Sequence, residues 1–421
     1  MARNQIVTGL DIGTHTIKAL VLQKKKQKDL EVLSYKEISS FGLRKGAVVN
    51  IDETAKNVQS ILSEIEKDCK RKINSVFVNI GGSHLYVTPS DGIISVSRAD
   101  QRISKEDVER VLQATRAVNI PSNEEVLDVF PREFIIDDQK GIKQPLDLTG
   151  VRLEAKVLLL CVFSPYFINL TQAVLHSKLQ INDVIPSPLA AAKAVLTPQQ
   201  KELGVALIDI GAATTSLAVF EEGELLHLAV FPIGSDNITY DIAIGLKTEV
   251  AVAESIKKQY GTCIFAKSEK EKLEHGRKKI EISSSKGIHL AEGQISDLDN
   301  SLIFTKKNLV DIIEPRVSEI LDLIQKELKK IGRQELLPGG VVLTGGGAKI
   351  PKIKELTKET LKLACKIGVP NQISGIQDDP SLATVAGLAL GGVDFEDEEG
   401  ILGVAKGWGA GFKKLFRAFM P

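Results

Sequence analysis

Two stretches of the chain set matching residue types at matching spacing: Leu10-Asp11-Ile12-Gly13-Thr14-His15-Thr16-Ile17-Lys18 and Leu207-Ile208-Asp209-Ile210-Gly211-Ala212-Ala213-Thr214-Thr215-Ser216. In each, an apolar strand delivers an Asp, a Gly and small hydroxyl residues follow, and the chain turns back into a second strand. That chemistry suits a nucleoside triphosphate. Glycine lets backbone amides approach phosphate oxygens, hydroxyls add donors, and the Asp can hold Mg²⁺ directly or through water. One such hairpin is a weak signal, because any strand ending D-x-G-T reads this way. Two of them, roughly two hundred residues apart, suggest related domains closing on the β/γ-phosphates from opposite sides. The alternative is two unrelated tight turns.

A chain of 421 residues suggests two to three domains with real cores. Lys+Arg and Asp+Glu both number 54, so no global charge points to nucleic acid. The first strand begins almost at once, leaving no room for a signal peptide, and apolar runs such as Val157 to Phe163 are too short to span a bilayer. Cys69, Cys161, Cys263 and Cys365 lie singly and read as buried or inert thiols in a reducing cytoplasm. The chain has no G-x-x-x-x-G-K-[ST] loop, no H-E-x-x-H and no G-x-S-x-G.

The elements that must position the hairpins follow from pattern. Ile6 to Leu10, Ile17 to Gln23 and Leu30 to Ser39 read as consecutive strands, with Lys24-Lys25-Lys26 at a solvated tip. Asp52-Glu53-Thr54 opens an amphipathic helix, and Val76 to Ile80 returns to strand. After Ser83 come strands at Leu85 to Val87 and Ile93 to Val96. A helix follows from the S-x-x-D at Ser104 through Val118, then strands near 126–130, 134–136 and 153–161. This predicts an α+β subdomain over 84–163. Asn169 to Leu179 and the Ala-rich run from Pro186 read as helices. The plan then restarts after Thr197, with a helix from Ala251 to Tyr260 and a polar stretch over 262–303. Thr305 caps a helix broken or restarted at Pro315 and continuing to Ile331. Val341 to Leu343 is a buried strand ending in Thr344-Gly345-Gly346-Gly347, whose glycines allow backbone to lie flat against a ligand. Asp394 to Gly400 reads as an acidic linker too charged to pack, staying extended. Beyond it, Trp408, Phe412, Leu415, Phe416 and Phe419 fall on one helical face and Lys413, Lys414 and Arg417 opposite, the pattern of an interfacial membrane helix on anionic lipid. A helix docked on its own domain is the alternative.

The hairpins, the Ala-rich helix, Leu343 to Gly347, and Pro380 to Leu390 as a second connecting helix occur in the order of the actin/sugar-kinase/DnaK-chaperone superfamily, which the chain resembles. Within it the chain is most similar to the FtsA family of bacterial cell-division proteins. Matching stretches are Gly42 to Val49, Gly150 to Ala155, Ile238 to Ala243 and Ala253 to Lys257. The resemblance implies an α/β, actin-like two-lobe fold with an inserted α+β subdomain in the first lobe and a C-terminal amphipathic membrane helix. It divides the chain into a first lobe over 1–83 and 164–196, the insert over 84–163, a second lobe over 197–245 and 337–393, a second-lobe insertion over 246–336, a linker over 394–404 and the membrane helix over 405–421. It implies an ATP-binding protein that polymerises, tethers FtsZ filaments to the cytoplasmic face of the inner membrane at the division site, and links them to later divisome membrane proteins. Carried over by position, Asp11 and Asp209 would serve Mg²⁺. Gly13, Thr14, His15 and Thr16, with Lys18, and Gly211, Ala212, Ala213, Thr214 and Thr215 would wrap the phosphates. Glu254 and Lys257 would reach the ribose and adenine edge, and Gly345, Gly346 and Gly347 would lie against the adenosine. Gly234, Asn237 and Ile350 belong to the same expected cofactor set. The FtsZ C-terminal tail would bind within 246–336.

The chain departs from the family pattern at Ala212-Ala213, where paired glycines are usual, at Ser216, at Ser235-Asp236, and at Ser187, where hydrolysing relatives often have Glu. These departures predict binding of ATP with slow or no hydrolysis. Two other functions fit the same lobes: a pilus-assembly actin homologue of the PilM type, which gives the C-terminal helix no task, and a small-molecule kinase, for which no catalytic Asp can be assigned.

Overall fold

The computed structural model describes residues 5–25, 30–117, 120–265, 279–282 and 302–400. Two sheets organise them, and their strand orders account for the repeated motif. In the first sheet the order is Leu30–Ser39, Thr16–Lys24, Gln5–Ile12, Ser75–Ile80, Gln180–Pro186. The first three strands form an antiparallel meander, and the last two continue the sheet in parallel. The second sheet repeats the plan with Glu224–Phe231, Thr215–Glu221, Val205–Ile210, Val341–Thr344 and Cys365–Ile367. In both lobes the Asp-bearing strand is the middle one of five, and the hairpin caps its carboxyl end. Parallel α/β sheets present ligands at that end.

These strands are buried on both faces, so their runs are continuously apolar: Ile17, Ala19, Leu20, Val21 and Leu22 all lie in the core. Helices Ile51–Cys69 and Ala383–Gly400 pack on the first sheet. The first begins at Ile51, slightly ahead of its acidic turn, because Asn50 is its cap, accepting from the Glu53 amide at 3.1 Å. The helix expected over 169–179 begins earlier and ends earlier, at Ser164–His176, with Pro165 in its first turn.

The insert contains Tyr86–Ser95, Lys105–Ala114, Glu124–Ile136, Gln139–Ile142 and Arg152–Phe163. Ser104 and Asp107 form the expected capping box, each side chain accepting from the other residue's amide. The pairs of short strands anticipated at 85–96 and 126–136 are each one long strand. Pro131 is accommodated where the register shifts between Lys156 and Val157 of the neighbouring strand. The insert interrupts the first lobe in sequence, yet Tyr86 pairs with Ala229, so its strands extend the second-lobe sheet to nine.

Two expectations are corrected. The helix thought to break at Pro315 runs unbroken over Lys306–Lys330. Leu309, Ile313, Val317, Ile320, Ile324 and Leu328 bury one stripe across the proline. Burying six such side chains, at roughly 1.5–3 kcal/mol each, outweighs the ~3 kcal/mol cost of an interior proline. The acidic segment is not an extended linker through Gly400 but the end of helix Ala383–Gly400. Asp394 pairs with Lys193, and the Phe395 ring meets Phe77 edge-on at 5.7 Å. The Ala-rich helix Ser187–Val195 crosses this helix backbone to backbone, since a Cβ on Gly387 would lie 1.7 Å from the Ala190 carbonyl oxygen. Residues 401–421, with the tail expected to bind membrane, lie outside the described residues, as do Val118 and most of 262–303.

Candidate functional site

The two hairpins close identically, Gly13 donating to the Thr16 carbonyl at 3.1 Å and Gly211 to the Thr214 carbonyl at 2.9 Å. Among the described residues no backbone carbonyl accepts from the amides of Thr14, His15, Ala212 or Ala213. Each turn therefore offers a small nest of donors suited to an anion. Their supports differ. In the first, Thr14 Oγ1 accepts from the Gly46 amide at 2.9 Å, and Thr16 Oγ1 accepts from Lys18 Nζ at 2.9 Å. Gly46 sits at the tip of a short hairpin of Leu43–Arg44 and Ala47–Val48, so the Gly42 to Val49 stretch braces the first nest. No local signal marks this contact, because it joins residues 32 apart through one amide.

The second hairpin is docked by backbone. Ser235 and Asp236 donate to the Gly211 and Ala212 carbonyls at 2.9 and 2.8 Å. A Cβ on Gly234 would lie 2.3 Å from the Ala212 oxygen, so glycine is required there. Asn237, expected among the ligands, caps its own helix by accepting from the Gly234 amide at 3.0 Å. Thr215 is buried and donates to the Ile233 carbonyl at 2.8 Å, which removes its hydroxyl proton from any phosphate role.

The charge of Asp11 reaches Asp209. Burial raises the Asp11 carboxyl above the usual carboxylate range, opposed by Lys18. Burial and then the Asp11 charge raise Asp209 to about 6, opposed by Lys18 and by a hydrogen bond from Thr384. Lys18 thus acts on both carboxylates, while its ammonium is hydrogen-bonded to Thr16 Oγ1. Gly345 has φ +84, and a Cβ there would sit 2.2 Å from Asp209 Oδ1; one on Gly347 would sit 2.3 Å from Ile210 Cγ2. These two glycines therefore let their segment pass against the Asp209 strand, and only Gly346 meets open space. Ile350 is buried in the second-lobe core.

The carboxylate pair fits a divalent cation, whose charge would relieve their mutual repulsion. Among the described residues no group of three or more His, Cys, Asp or Glu side chains could hold a metal ion. A cation here would complete its shell with phosphate oxygens and water, the habit of Mg²⁺.

One turn from the second hairpin, Glu254 and Lys257 of helix Val250–Tyr260 pair at 2.6 Å, with Thr239 between them. Burial alone would raise Glu254, but Lys257, Thr239 and Lys258 together hold it at about 2. Lys257 also donates to the Ser235 carbonyl at 3.1 Å, tying this cluster to the helix turn that docks the hairpin. Ser187 Oγ donates to the Ile80 carbonyl at 3.1 Å and accepts from Asn79 at 3.0 Å.

Two lobes with one strand order, each with an Asp-bearing strand that ends in the same hairpin, define an actin-like protein. Solved structures agree on the fold. The PilM-PilN type IV pilus biogenesis complex matches with TM-score 0.63 and 19% identity, over 92% of this chain and 98% of that one. MreB5 of Spiroplasma citri bound to ADP matches with TM-score 0.55 and 13% identity, over 94% and 99%. A family model described as cell division protein FtsA matches residues 206–387, and one described as the SHS2 domain inserted in FTSA matches residues 82–161. Curated relatives named cell division protein FtsA include that of Pseudomonas aeruginosa, 36% identical over 94% of this chain and 91% of its own length. Those of Bacillus subtilis, at 34% over 92% and 83%, and Escherichia coli, at 31% over 91% and 89%, also match. The chain belongs to the FtsA family of cell division proteins.

Proposed function

We propose that this chain binds Mg·ATP between its lobes, assembles into actin-like filaments, and tethers FtsZ filaments to the cytoplasmic face of the membrane at the division site, where it meets other division proteins. The observation that carries the nucleotide part is the pair of matching hairpins, each closing an Asp-bearing strand with amides that no backbone carbonyl accepts from, together with the reach of the Asp11 and Lys18 charges to Asp209. Nucleotide-bound MreB5 structures of the same fold support it. In this reading the Thr14, His15, Ala212 and Ala213 amides hold phosphate oxygens, Lys18 offsets their charge, and the two carboxylates take the cation. Bound Mg²⁺ would supply charge neutralisation between carboxylates and phosphate. Ser187 offers no carboxylate to orient water, and its hydroxyl proton is already donated, so turnover is slow and nucleotide serves assembly rather than catalysis.

Among the described residues no helix is long and apolar enough to cross a membrane. Attachment is assigned to residues 405–421, outside the described residues. Full burial of a Leu or Phe is worth roughly 1.5–3 kcal/mol, and an interfacial helix gains part of that. Each basic side chain near anionic lipid adds about 1 kcal/mol. One copy therefore binds reversibly, and a filament binds firmly because linked copies act at high effective concentration. The FtsZ tail is assigned to 246–336. Exposed Tyr240, Ile244 and Val250, beside the Arg316–Asp241 ion pair, offer apolar and charged surface at its border. The test is co-sedimentation of FtsZ with anionic liposomes. The wild-type chain carries FtsZ down. Phe412→Glu or Phe416→Glu leaves both in the supernatant, and sedimentation equal to the parent would show that the tail is not the anchor.

A further inference from the structure

The inserted subdomain leaves the first lobe after Ile80 and returns to it at Ser164. The two crossings touch. The His84 ring stands edge-on to Tyr166 at 4.9 Å, and Tyr166 in turn meets Phe163 at 5.1 Å. Beside His84 lies a stack of backbone that only glycine permits. Gly82 has φ +107, and a Cβ there would lie 2.7 Å from the imidazole. Gly46 has φ +79, and a Cβ there would lie 2.8 Å from the Gly82 amide nitrogen. Gly46 is also the residue whose amide braces Thr14. The first hairpin, its brace and the exit to the insert therefore form one line of contact. On its other side the insert is joined to the second lobe: Tyr86 pairs with Ala229, and Lys143 forms an ion pair with Glu222 at 3.1 Å. Leu160 and Val162 of its last strand share one core with Leu228 and Val230 of the second lobe and with Leu10 and Ile12 of the first.

The seat of His84 is the least settled point on this line. Its Nε2 is buried, and among the described residues nothing hydrogen-bonds to it. Burial pushes the imidazole down to about 4, so the ring is uncharged at neutral pH. A cavity of about 10 Å³, room for a single water, adjoins it between Gly46, Asn79, Gly81 and Tyr166. A ring with an orphaned nitrogen and space beside it can be displaced without breaking a hydrogen bond there. We propose that the insert is a strap between the lobes and that His84 couples it to the first hairpin: an anion on the Thr14 and His15 amides firms the Thr14–Gly46 brace, seats Gly82 and His84 against it, and holds the insert's strands on the second-lobe sheet. This rests on reading the first hairpin as a phosphate site. The push passes through two glycines packed backbone to backbone and backbone to ring, where no side chain of their own is available to yield.

The experiment is amide hydrogen exchange of the full chain with and without saturating Mg·ATP, for wild type, His84→Ala and His84→Phe, with nucleotide affinity measured on the same samples. The readout is the change that nucleotide causes at the Tyr86–Ala229 junction. A merely destabilised insert would exchange faster with and without nucleotide alike. In the wild type Mg·ATP slows exchange at the junction about tenfold, the scale of an ordinary coupling between sites. His84→Ala binds Mg·ATP about as tightly, because the detached insert is a minor form, yet loses the slowing. His84→Phe, which returns a ring to the seat, keeps it. Slowing that persists in full in His84→Ala overturns the role of His84. A wild type that binds Mg·ATP with no slowing at the junction overturns the strap. A wild type that binds no Mg·ATP overturns the nucleotide reading itself, a separate failure.

Discussion

The two hairpins share a backbone and a position in their lobes, but they are held by different means. The first is braced by side chains: Thr14 takes the Gly46 amide, and Lys18 reaches back to Thr16 along their own strand. The second is braced by main chain, with its Gly211 and Ala212 carbonyls occupied by the helix turn at Ser235-Asp236. One of its hydroxyls, that of Thr215, is correspondingly withdrawn into the core. Side-chain bracing leaves a hairpin whose geometry depends on replaceable groups, whereas backbone bracing depends on there being no Cβ at Gly234 and Gly345. The alanines at 212 and 213 are compatible with this, because docking uses the Ala212 carbonyl and no backbone carbonyl accepts from either amide.

The contrast can be broken most forcefully at Gly345. Its φ of +84 and the 2.2 Å approach to Asp209 predict that Gly345→Ala costs about 3 kcal/mol, combining left-handed strain with overpacking, read as a lower chemical-denaturation midpoint. A loss below about 1 kcal/mol would mean the segment shifts freely and does not fix Asp209.

A smaller effect separates the carboxylates. Asp209 holds its proton to about 6 in the fold, against 3.8 for an ordinary Asp. The folded nucleotide-free chain therefore binds more protons than the unfolded chain between those values. This group's contribution grows less favourable as pH rises through that window and is fully unfavourable above it. Asp209 keeps some exposed surface, so the penalty is discounted to about 1–2 kcal/mol. Asp209→Asn should raise the thermal midpoint of the nucleotide-free chain at neutral pH and leave it unchanged near the lower end of the window. A midpoint lowered at neutral pH would contradict the buried-carboxylate picture.

The smallest expected change sharpens the side-chain half of the comparison. Thr14→Val removes the acceptor of the Gly46 amide and should cost about 1 kcal/mol. Hydrogen exchange should quicken at Gly46 and its neighbours while the Gly211–Thr214 turn keeps its protection. Equal quickening in both hairpins would mean that they are braced as one unit.

How much was legible in the sequence divides along the same line. Both hairpins, the Ser104 and Thr305 caps and the strands feeding Asp11 and Asp209 are local signals, carried by apolar runs and turn residues within ten positions of one another. What was not legible depends on distant partners. The helix continues through Asp394 because Lys193 and Phe77 receive its acidic end, and Pro315 is tolerated because residues on both sides share one core. Gly345 and Gly347 look like ligand-facing glycines until the Asp209 strand is placed beneath them. Lys257 looks like a ligand until its three acceptors are counted. The residue types pointed to the site; their division into contacts and supports required the fold.

In the proposed function Asp11 and Asp209 hold a cation between two phosphate-binding hairpins. Titration calorimetry of Mg·ATP into the full chain and into Asp209→Ala tests it most directly. The variant should bind at least tenfold more weakly, a loss of about 1.4 kcal/mol or more. The wild type should lose much of its affinity when Mg²⁺ is chelated, while the variant loses little. Equal affinity in the two proteins, with equal dependence on Mg²⁺, would contradict it.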